Sequence, residues 1–264
     1  MPQTLTAPSF TDLLRSAVTE PGTIHAAYSA FHNYSLGNQL LAMFQCHARG
    51  IAPGPIATFP RWKELRRYVR KGEKAIELCM PITCKRSEPE TADDDAATFT
   101  RFIYRRNWFV LSQTDGEPYM PPALPGWDTA RALAALDVTE TPFELLNGNV
   151  QGYAQPARRT IAISPVAAHP FKTTIHEIAH VLMHGEATDL SDGADTPRDM
   201  REVEAESVAM LVSAALGQPG LDDSRGYIQH WYQGNEIPEA NARRILKTAD
   251  QILRAGRDSE ASHE

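Results

Sequence analysis

Two histidines that flank a glutamate at helical spacing are the residues of this sequence best suited to chemistry. They lie in the pentapeptide His176-Glu177-Ile178-Ala179-His180. Histidines four apart on a helix lie about 40° apart around its axis, so both imidazoles can reach one ion. A catalytic zinc takes three protein ligands and keeps one position for water. We therefore expect His176 and His180 to bind zinc, and Glu177 to take a proton from that water and pass it to a leaving amine. The alternative is a pair of histidines on a solvated helix face, without metal.

A third ligand should come from a separate element, and the helix expected over 201–216 offers three glutamates. Glu202 and Glu206 share one face, whereas Glu204 lies roughly 160° from either and is expected to face outward. The arrangement resembles the gluzincin metallopeptidases, in which a ligand glutamate is followed four residues later by an acid that orients a ligating histidine. This resemblance implies that Glu202 binds zinc and that Glu206 supports a ligand from behind. The reverse order and a merely solvated acidic face stay open.

His184 continues the series of histidines, but a third ligand on the same straight helix would drift about 80° from the first. We interpret His184 as a charge at the helix C-terminus before Gly185.

Further along the chain, Tyr227 and His230 are candidates to hydrogen-bond an oxyanion opposite Glu177. The alternative is that both pack beside Trp231. The strand expected over 159–164 is either an edge strand on which a peptide substrate lies or, as the simpler interpretation, an ordinary half-buried strand.

The elements that must position these residues predict an α+β protein. Apolar periodicity predicts helices over 10–19, 24–31, 35–48, 59–68, 129–136, the pentapeptide, 201–216 and 238–255. Strands are expected over 75–84 and 101–112, and as a pair around 143–153 and 159–164.

The length of 264 residues predicts two domains. Four prolines in 117–126 mark the best candidate for a linker. We expect a mixed helix and small-sheet domain at 1–126, with a mobile acidic loop near 87–97. A metallopeptidase domain is expected at 127–256, followed by a disordered tail at 257–264.

Residues 61–74 combine cations with aromatic side chains, as single-stranded DNA binding requires, because bases stack and phosphates pair. The candidate DNA contacts are Arg61, Lys63, Arg66, Arg67, Arg70, Lys71 and Lys74. Arg101, Arg105 and Arg106 would widen this patch. The alternative is an amphipathic helix that buries Trp62, Leu65 and Val69, and we interpret Trp62 as a core residue. The net charge of −7 does not exclude DNA binding, since the charges are unevenly distributed.

Other properties predict a cytoplasmic protein without a membrane segment. No apolar run approaches the roughly 18 residues of a membrane span, and the first residues lack a signal-peptide pattern. The cysteines Cys46, Cys79 and Cys84 have no metal-ligand spacing, which fits free thiols in a reducing compartment.

Taken together, the two predicted domains resemble the ArdC-type antirestriction proteins. The N-terminal resemblance is carried by residues 33–40, 58–63, 69–74 and 109–116, and the C-terminal one by the pentapeptide with Glu202 and Glu206. This C-terminal part is also similar to peptidases that act on phage and stress repressors.

The resemblance covers about residues 23–232. It implies an N-terminal single-stranded-DNA-binding domain, a C-terminal zincin-like zinc metallopeptidase domain of gluzincin type, and a mobile-element protein that shields incoming DNA from restriction. The expected partners are single-stranded DNA and a peptide or protein substrate. Two alternatives stay open: a cytosolic repressor-cleaving metallopeptidase without DNA binding, and a non-enzymatic DNA binder with structural zinc.

Overall fold

The computed structural model describes residues 8–85, 98–144, 150–185, 196–232 and 235–258. The acidic loop predicted near 87–97 lies outside these residues, as do residues 259–264 of the predicted tail.

Within the described residues the protein is α+β, as predicted. The helices are α1 (Phe10–Thr19), α2 (Thr23–Phe31), α3 (Leu36–Arg49), α4 (Phe59–Glu64), α5 (Thr129–Ala135), α6 (Pro170–Met183), α7 (Arg198–Ala215), α8 (Leu221–Tyr232) and α9 (Glu239–Ala255). The strands are β1 (Ile56–Thr58), β2 (Arg67–Val69), β3 (Ile76–Lys85), β4 (Thr98–Val110), β5 (Thr114–Gly116), β6 (Thr139–Glu140), β7 (Gly152–Gln155) and β8 (Thr160–Ile163).

The chain divides into two compact units. We call Leu41–Pro121 the small unit, and Met1–Leu40 together with Pro122–Glu264 the large unit. The first helices belong to the large unit because α1 packs against α8 and α9, and α2 packs against α7. This grouping by compactness differs from the division into 1–126 and 127–256, which stays a prediction.

Helix α7 is the central helix of the large unit. Every residue from Val203 to Ala215 is buried except Glu206. Helices α2, α6, α8 and α9 all contact α7. Over this stretch, therefore, side chains on almost every side of the helix meet protein rather than solvent.

A three-stranded sheet in the order β6-β8-β7 lies beside α6, which contacts both β7 and β8. Strand β8 pairs in parallel with β6 and antiparallel with β7. Its residues Ile161 and Ala162 are fully buried. The interpretation of 159–164 as an ordinary half-buried strand is therefore confirmed, and the alternative of an edge strand is wrong because β7 occupies that position.

The small unit contains an antiparallel sheet in the order β1-β4-β3 and a two-stranded ribbon of β2 and β5. The helix predicted over 59–68 is wrong beyond Glu64. Arg66 has a left-handed backbone with φ of 55°, which ends the helical run. Arg67–Val69 then pair with Thr114–Gly116 as a strand. A Cβ at Gly116 would collide with the carbonyl oxygen of Arg66, so the ribbon requires glycine there.

Helix α8 has no counterpart among the predicted helices. Gly226 lies in its middle, and an interior glycine weakens the helical signal in the sequence. Packing of α8 against α1 and α7 stabilises the helix in spite of that glycine.

Trp62 is a core residue, as interpreted from the sequence. Its side chain is only 1% exposed. The indole Nε1 donates a hydrogen bond of 2.8 Å to the carbonyl oxygen of Phe109, and the ring meets Tyr119 edge-on at a centroid distance of 5.4 Å. Trp62 therefore links α4 to β4 and is not available to stack on a base.

We predict that Trp62→Ala lowers the free energy of unfolding by about 3–5 kcal/mol, because it removes a buried aromatic ring. Trp62→Phe keeps most of the ring and should cost less, chiefly the lost hydrogen bond of roughly 1 kcal/mol. Urea unfolding of the full chain measures both values. Tyr68, which is 60% exposed, is the control, since Tyr68→Ala should change stability by less than about 0.5 kcal/mol. A stable Trp62→Ala variant that had lost only DNA affinity would contradict the assignment.

Candidate metal centre

Helix α6 presents the two histidines of the pentapeptide on one side. Its opposite side is core, since Ile175, Ile178 and Ala179 are fully buried. The Nε2 atoms of His176 and His180 lie 3.1 Å apart, so both rings direct the same nitrogen toward one point.

Glu202, in the second turn of α7, faces the same point. Its Oε2 lies 3.5 Å from His176 Nε2 and 3.6 Å from His180 Nε2. A tetrahedral ion with ligand bonds of about 2.05 Å has its ligand atoms about 3.3 Å from one another, close to the spacings found here. These three residues form a group that could hold a divalent metal ion.

Glu206 lies behind His176 rather than beside the metal-facing nitrogens. Its Oε2 is 3.0 Å from His176 Nδ1. Its other oxygen is 3.1 Å from Lys172 Nζ, which also reaches Ser224 Oγ at 3.0 Å. Glu202 is thus on the Nε2 side of His176 and Glu206 on the Nδ1 side, the order that the gluzincin resemblance implies.

The carboxylates and the histidines of the site shift one another's pKa values. Burial lowers the pKa of His176, but hydrogen bonds to Glu202 and Glu206 outweigh burial and raise it to about 9. Burial raises the pKa of Glu206, but His176, Ser224 and Lys172 together lower it to about 2. Hydrogen bonds from the two histidines hold the pKa of Glu202 well below its usual range. Both acids are therefore carboxylates at neutral pH, which suits a cation site.

The expectation that Glu204 faces outward is wrong. Its side chain is fully buried. Oε2 lies 3.1 Å from His184 Nε2, and Oε1 accepts hydrogen bonds from Asn241 and Arg244 of α9. The reason is that α7 is surrounded by other helices, so the side away from Glu202 faces α9 and the end of α6.

His184 also has a different environment from the one predicted. It is the C-terminal cap of α6, but its side chain is only 3% exposed and does not act as a solvated terminal charge. Its Nδ1 lies 2.8 Å from Nδ1 of His180. Spacing along α6 could not identify the partner of the other ring nitrogen of His184, because that acid, Glu204, comes from α7.

Glu177 is 7% exposed, and its carboxylate points into the cleft beside the histidines. Burial raises its pKa, while the nearby His176 and His180 lower it. The backbone of β7 packs closely against it, because a Cβ at Gly152 would lie 3.0 Å from Glu177 Oε1 and 2.8 Å from Thr173 Cγ2.

The cleft in front of these residues has a volume of about 880 Å³. Strand β7 lines one side through Gly152, Tyr153 and Ala154, and the start of α7 lines the other through Arg198 and Arg201. The arrangement provides a convergent ligand set, a buried carboxylate and an adjacent sheet edge in one concave site.

Tyr227 and His230 both lie on α8. Burial raises the pKa of the Tyr227 phenol, and the charges of Glu202 and Glu206 raise it further, which places this ring near the acids. His230 is exposed to solvent. In the part of the chain that the structure describes, neither side chain lines the cleft, so their role at an oxyanion stays a prediction.

Two of the seven candidate DNA contacts are engaged with the backbone of the small unit. Arg67 Nη2 donates to the Thr114 carbonyl oxygen at 3.0 Å, and Arg70 Nη2 donates to that of Ser112 at 2.6 Å. Both arginines therefore stabilise the β2–β5 region, which the composition of the segment did not predict.

The other candidate cations are more accessible. Arg61 pairs with Glu64 at 3.0 Å. The cations with exposed side chains in addition to Arg61 are Lys63, Arg66, Lys71 and Lys74. Tyr68, an aromatic residue of this same segment, is 60% exposed, and the structure also reveals an exposed ring that sequence reasoning missed, Phe102 at 59%. The alternation of aromatic and basic residues along β4 was the available signal.

Among the described residues, no helix combines the length and apolarity that crossing a membrane requires.

Comparison with known proteins identifies relatives of both units. Residues 15–109 match the model of the N-terminal domain of anti-restriction factor ArdC. The chain is 23% identical over 233 residues to the uncharacterized protein y4eC of Sinorhizobium fredii (strain NBRC 101917 / NGR234), which covers 83% of this chain and 74% of that protein.

Two solved structures of the antirestriction ArdC protein from plasmid R388 share the fold. The metal-free structure is 21% identical with a TM-score of 0.55, and the match covers 93% of each chain. The Mn(II)-bound structure is 20% identical with a TM-score of 0.55, and the match covers 93% of this chain and 96% of that one. The resemblance predicted from the sequence motifs is thus confirmed by the match of residues 15–109 to the ArdC N-terminal domain and by the fold shared with the R388 protein.

Proposed function

We propose that this chain is a single-stranded-DNA-binding, zinc-dependent metallopeptidase-like antirestriction protein of a mobile element, acting in the cytoplasm. The observation that carries the proposal is the convergence of His176, His180 and Glu202 beside the buried Glu177. In this proposal residues 127–256 form a zincin-like domain of gluzincin type.

The ligand chemistry supports zinc in particular. Two imidazole nitrogens and one carboxylate oxygen form the ligand set found in gluzincin-type catalytic sites, with a fourth position for water. The Mn(II)-bound structure of R388 ArdC supports a divalent ion at some site of that relative. When bound, zinc supplies a Lewis acid that polarises a carbonyl group and acidifies a water molecule.

The residues of the chain would perform the remaining steps. Glu177 accepts the proton of the attacking water and returns it to the leaving amine, and its raised pKa suits that exchange. Strand β7 is the sheet edge along the cleft, where a peptide in extended form can add as a strand. Tyr227 is a better candidate than His230 for hydrogen bonding to the oxyanion. The charges of Glu202 and Glu206 raise the pKa of its phenol, so its ring lies near these acids.

The DNA-binding part of the proposal concerns the small unit. The exposed cations of residues 61–74 can pair with phosphates, and the exposed rings of Tyr68 and Phe102 can stack on bases. The N-terminal ArdC domain match supports the antirestriction role.

The metal site is tested by removing its ligands. We expect the wild-type chain to bind one zinc ion per chain, and His176→Ala and Glu202→Ala to lose it. At a free zinc concentration of 100 times Kd, binding should stabilise the wild type by about 2.7 kcal/mol, which appears as a rise in Tm. Isothermal titration and metal analysis measure the loss. Glu236→Ala, at a carboxylate whose side chain is 73% exposed, is the control. Unchanged zinc binding by His176→Ala would rule out this site.

Glu177→Gln tests the proposed catalysis. We expect it to retain zinc and to lower the cleavage rate of fluorescent casein by about 10²–10⁴-fold, because the amide cannot accept the proton. Glu236→Gln provides the matched control. Protection of unmodified DNA in a restricting host should be lost with Glu177→Gln. Full protection by a variant that no longer cleaves casein would favour the non-enzymatic DNA binder instead.

A salt titration tests DNA binding. We expect the triple variant Lys63→Ala, Arg66→Ala, Lys71→Ala to weaken single-stranded DNA binding and to flatten the plot of log affinity against log salt by about 0.7 per lost phosphate contact. Phe102→Ala should lower affinity by about 1–3 kcal/mol with the slope unchanged, since stacking releases no counterions.

The matched control removes three exposed cations from α9 of the large unit: Arg243→Ala, Lys247→Ala, Arg254→Ala. It lowers the net charge by the same amount and should leave the slope unchanged. Absence of binding by the wild type at about 50 mM salt would exclude the DNA-binding part and favour a repressor-cleaving peptidase.

A further inference from the structure

Each metal-facing histidine has its second ring nitrogen in contact with another side chain, and the two partners differ. Nδ1 of His176 faces the carboxylate of Glu206 at 3.0 Å. Nδ1 of His180 faces another imidazole nitrogen, Nδ1 of His184, at 2.8 Å. An ionised carboxylate can only accept a hydrogen bond from a ring N–H, but a contact between two imidazoles needs one ring to donate and the other to accept. Something must therefore set the tautomers of His180 and His184.

Glu204 sets the tautomer of His184. Its carboxylate is fully buried and is balanced by Arg244, and Asn241 Nδ2 donates to Oε1 at 2.8 Å. The other oxygen lies 3.1 Å from His184 Nε2. A carboxylate can only accept, so the proton of His184 is on Nε2.

The tautomer of His180 follows from that of His184. With its proton on Nε2, a neutral His184 has a lone pair on Nδ1 and accepts the N–H of His180 Nδ1. His180 Nε2 then carries the lone pair, and this atom faces His176 Nε2 at 3.1 Å and Glu202 Oε2 at 3.6 Å. The chain of hydrogen bonds thus presents a metal-binding nitrogen at the centre of the cluster.

We propose that Glu204 and His184 are positioning residues, which act in series to hold His180 in the tautomer and ring orientation that bind the metal. This inference rests on the proposed metal centre. It assigns α9 a part in the site, since Asn241 and Arg244 orient the carboxylate of Glu204. If Glu204 had a purely structural role, it would only join α7 to α9, and His184 would not affect the metal. Metal affinity would then be independent of the tautomer of His184, whereas a positioning role makes affinity depend on it.

The experiment compares variants of His184 by zinc affinity in competition with a chelator and by the visible spectrum of the Co(II)-loaded protein. His184→Leu removes the acceptor and should weaken zinc binding about 10–100-fold. His184→Asn places an amide oxygen near the position of Nδ1, so it should retain affinity to within about 3-fold. His32→Leu is the matched control, because His32 is also a buried histidine of the large unit and should leave both readouts unchanged.

Glu204→Gln tests the first member of the series. With Oε1 held by Arg244 and Asn241, the amide NH₂ would face His184 Nε2, reverse the tautomers and weaken zinc binding about 10-fold. In the His184→Leu background the same substitution should cost no further affinity, since Glu204 acts only through His184.

The outcomes separate this inference from the proposed function. Wild-type zinc affinity in a folded Glu204→Gln variant overturns the inference, even if His184→Leu fails to fold. Equal loss in His184→Asn and His184→Leu also overturns it, because the acceptor would then be irrelevant. A wild-type chain that binds neither zinc nor Co(II) removes the metal centre itself, and the inference with it.

Discussion

The packing of α6 against α7 is the contact on which the candidate site depends. α6 supplies two of the ligand atoms and α7 the third, so only their relative register brings the three together. A slip of one residue along α7 would move Glu202 by about 1.5 Å and turn it by about 100° around the helix. Buried side chains prevent that slip. Ile175, Ile178 and Val203 are fully buried, and the close-packed interior of a protein does not accommodate such a shift.

The sheet edge adds a second constraint to the same helix. β7 lies so close to α6 that a Cβ at position 152 would displace the side chain of Thr173 or Glu177. The close approach helps to bury the carboxylate of Glu177, and Gly152 and Glu177 both line the cleft. Gly152, which has no side chain, lets the backbone of β7 approach Glu177, and burial raises the pKa of this carboxyl.

The sequence could predict those features of the site that depend on residues close to one another along the chain. The spacing of His176 and His180 determines their common face on any helix. The gluzincin resemblance predicted Glu202 as a ligand with Glu206 behind it, and the two acids face different ring nitrogens of His176. Glu204 was misjudged because helical geometry shows which side a residue occupies, but not whether that side meets solvent. On α7 the far side meets α9, which begins 35 residues after Glu204 in the chain.

The same limit applies to the small unit. Composition does not distinguish among the cations of residues 61–74. In the structure, however, Arg67 and Arg70 donate hydrogen bonds to the backbone carbonyl oxygens of Thr114 and Ser112. Their partners lie more than forty residues away in the chain, and the left-handed turn at Arg66 brings them together. Helix boundaries followed from periodicity where the pattern was long, as in α1, and failed where a short turn intervened, as after α4.

Stability alone does not account for the buried charges around Glu204. Removing a carboxylate and a guanidinium from water costs several kcal/mol each, and buried ion pairs are often replaceable by apolar residues without loss of stability. If the Glu204–Arg244 pair only joined α7 to α9, apolar side chains at these positions could do so without the cost of burying charge. A carboxylate has one property that no apolar side chain can supply, which is that it fixes the position of a proton on a neighbouring imidazole. That imidazole, His184, contacts the metal-facing His180. The cost of burying Glu204 is therefore explained by its effect on the tautomer of His180, which it sets through His184.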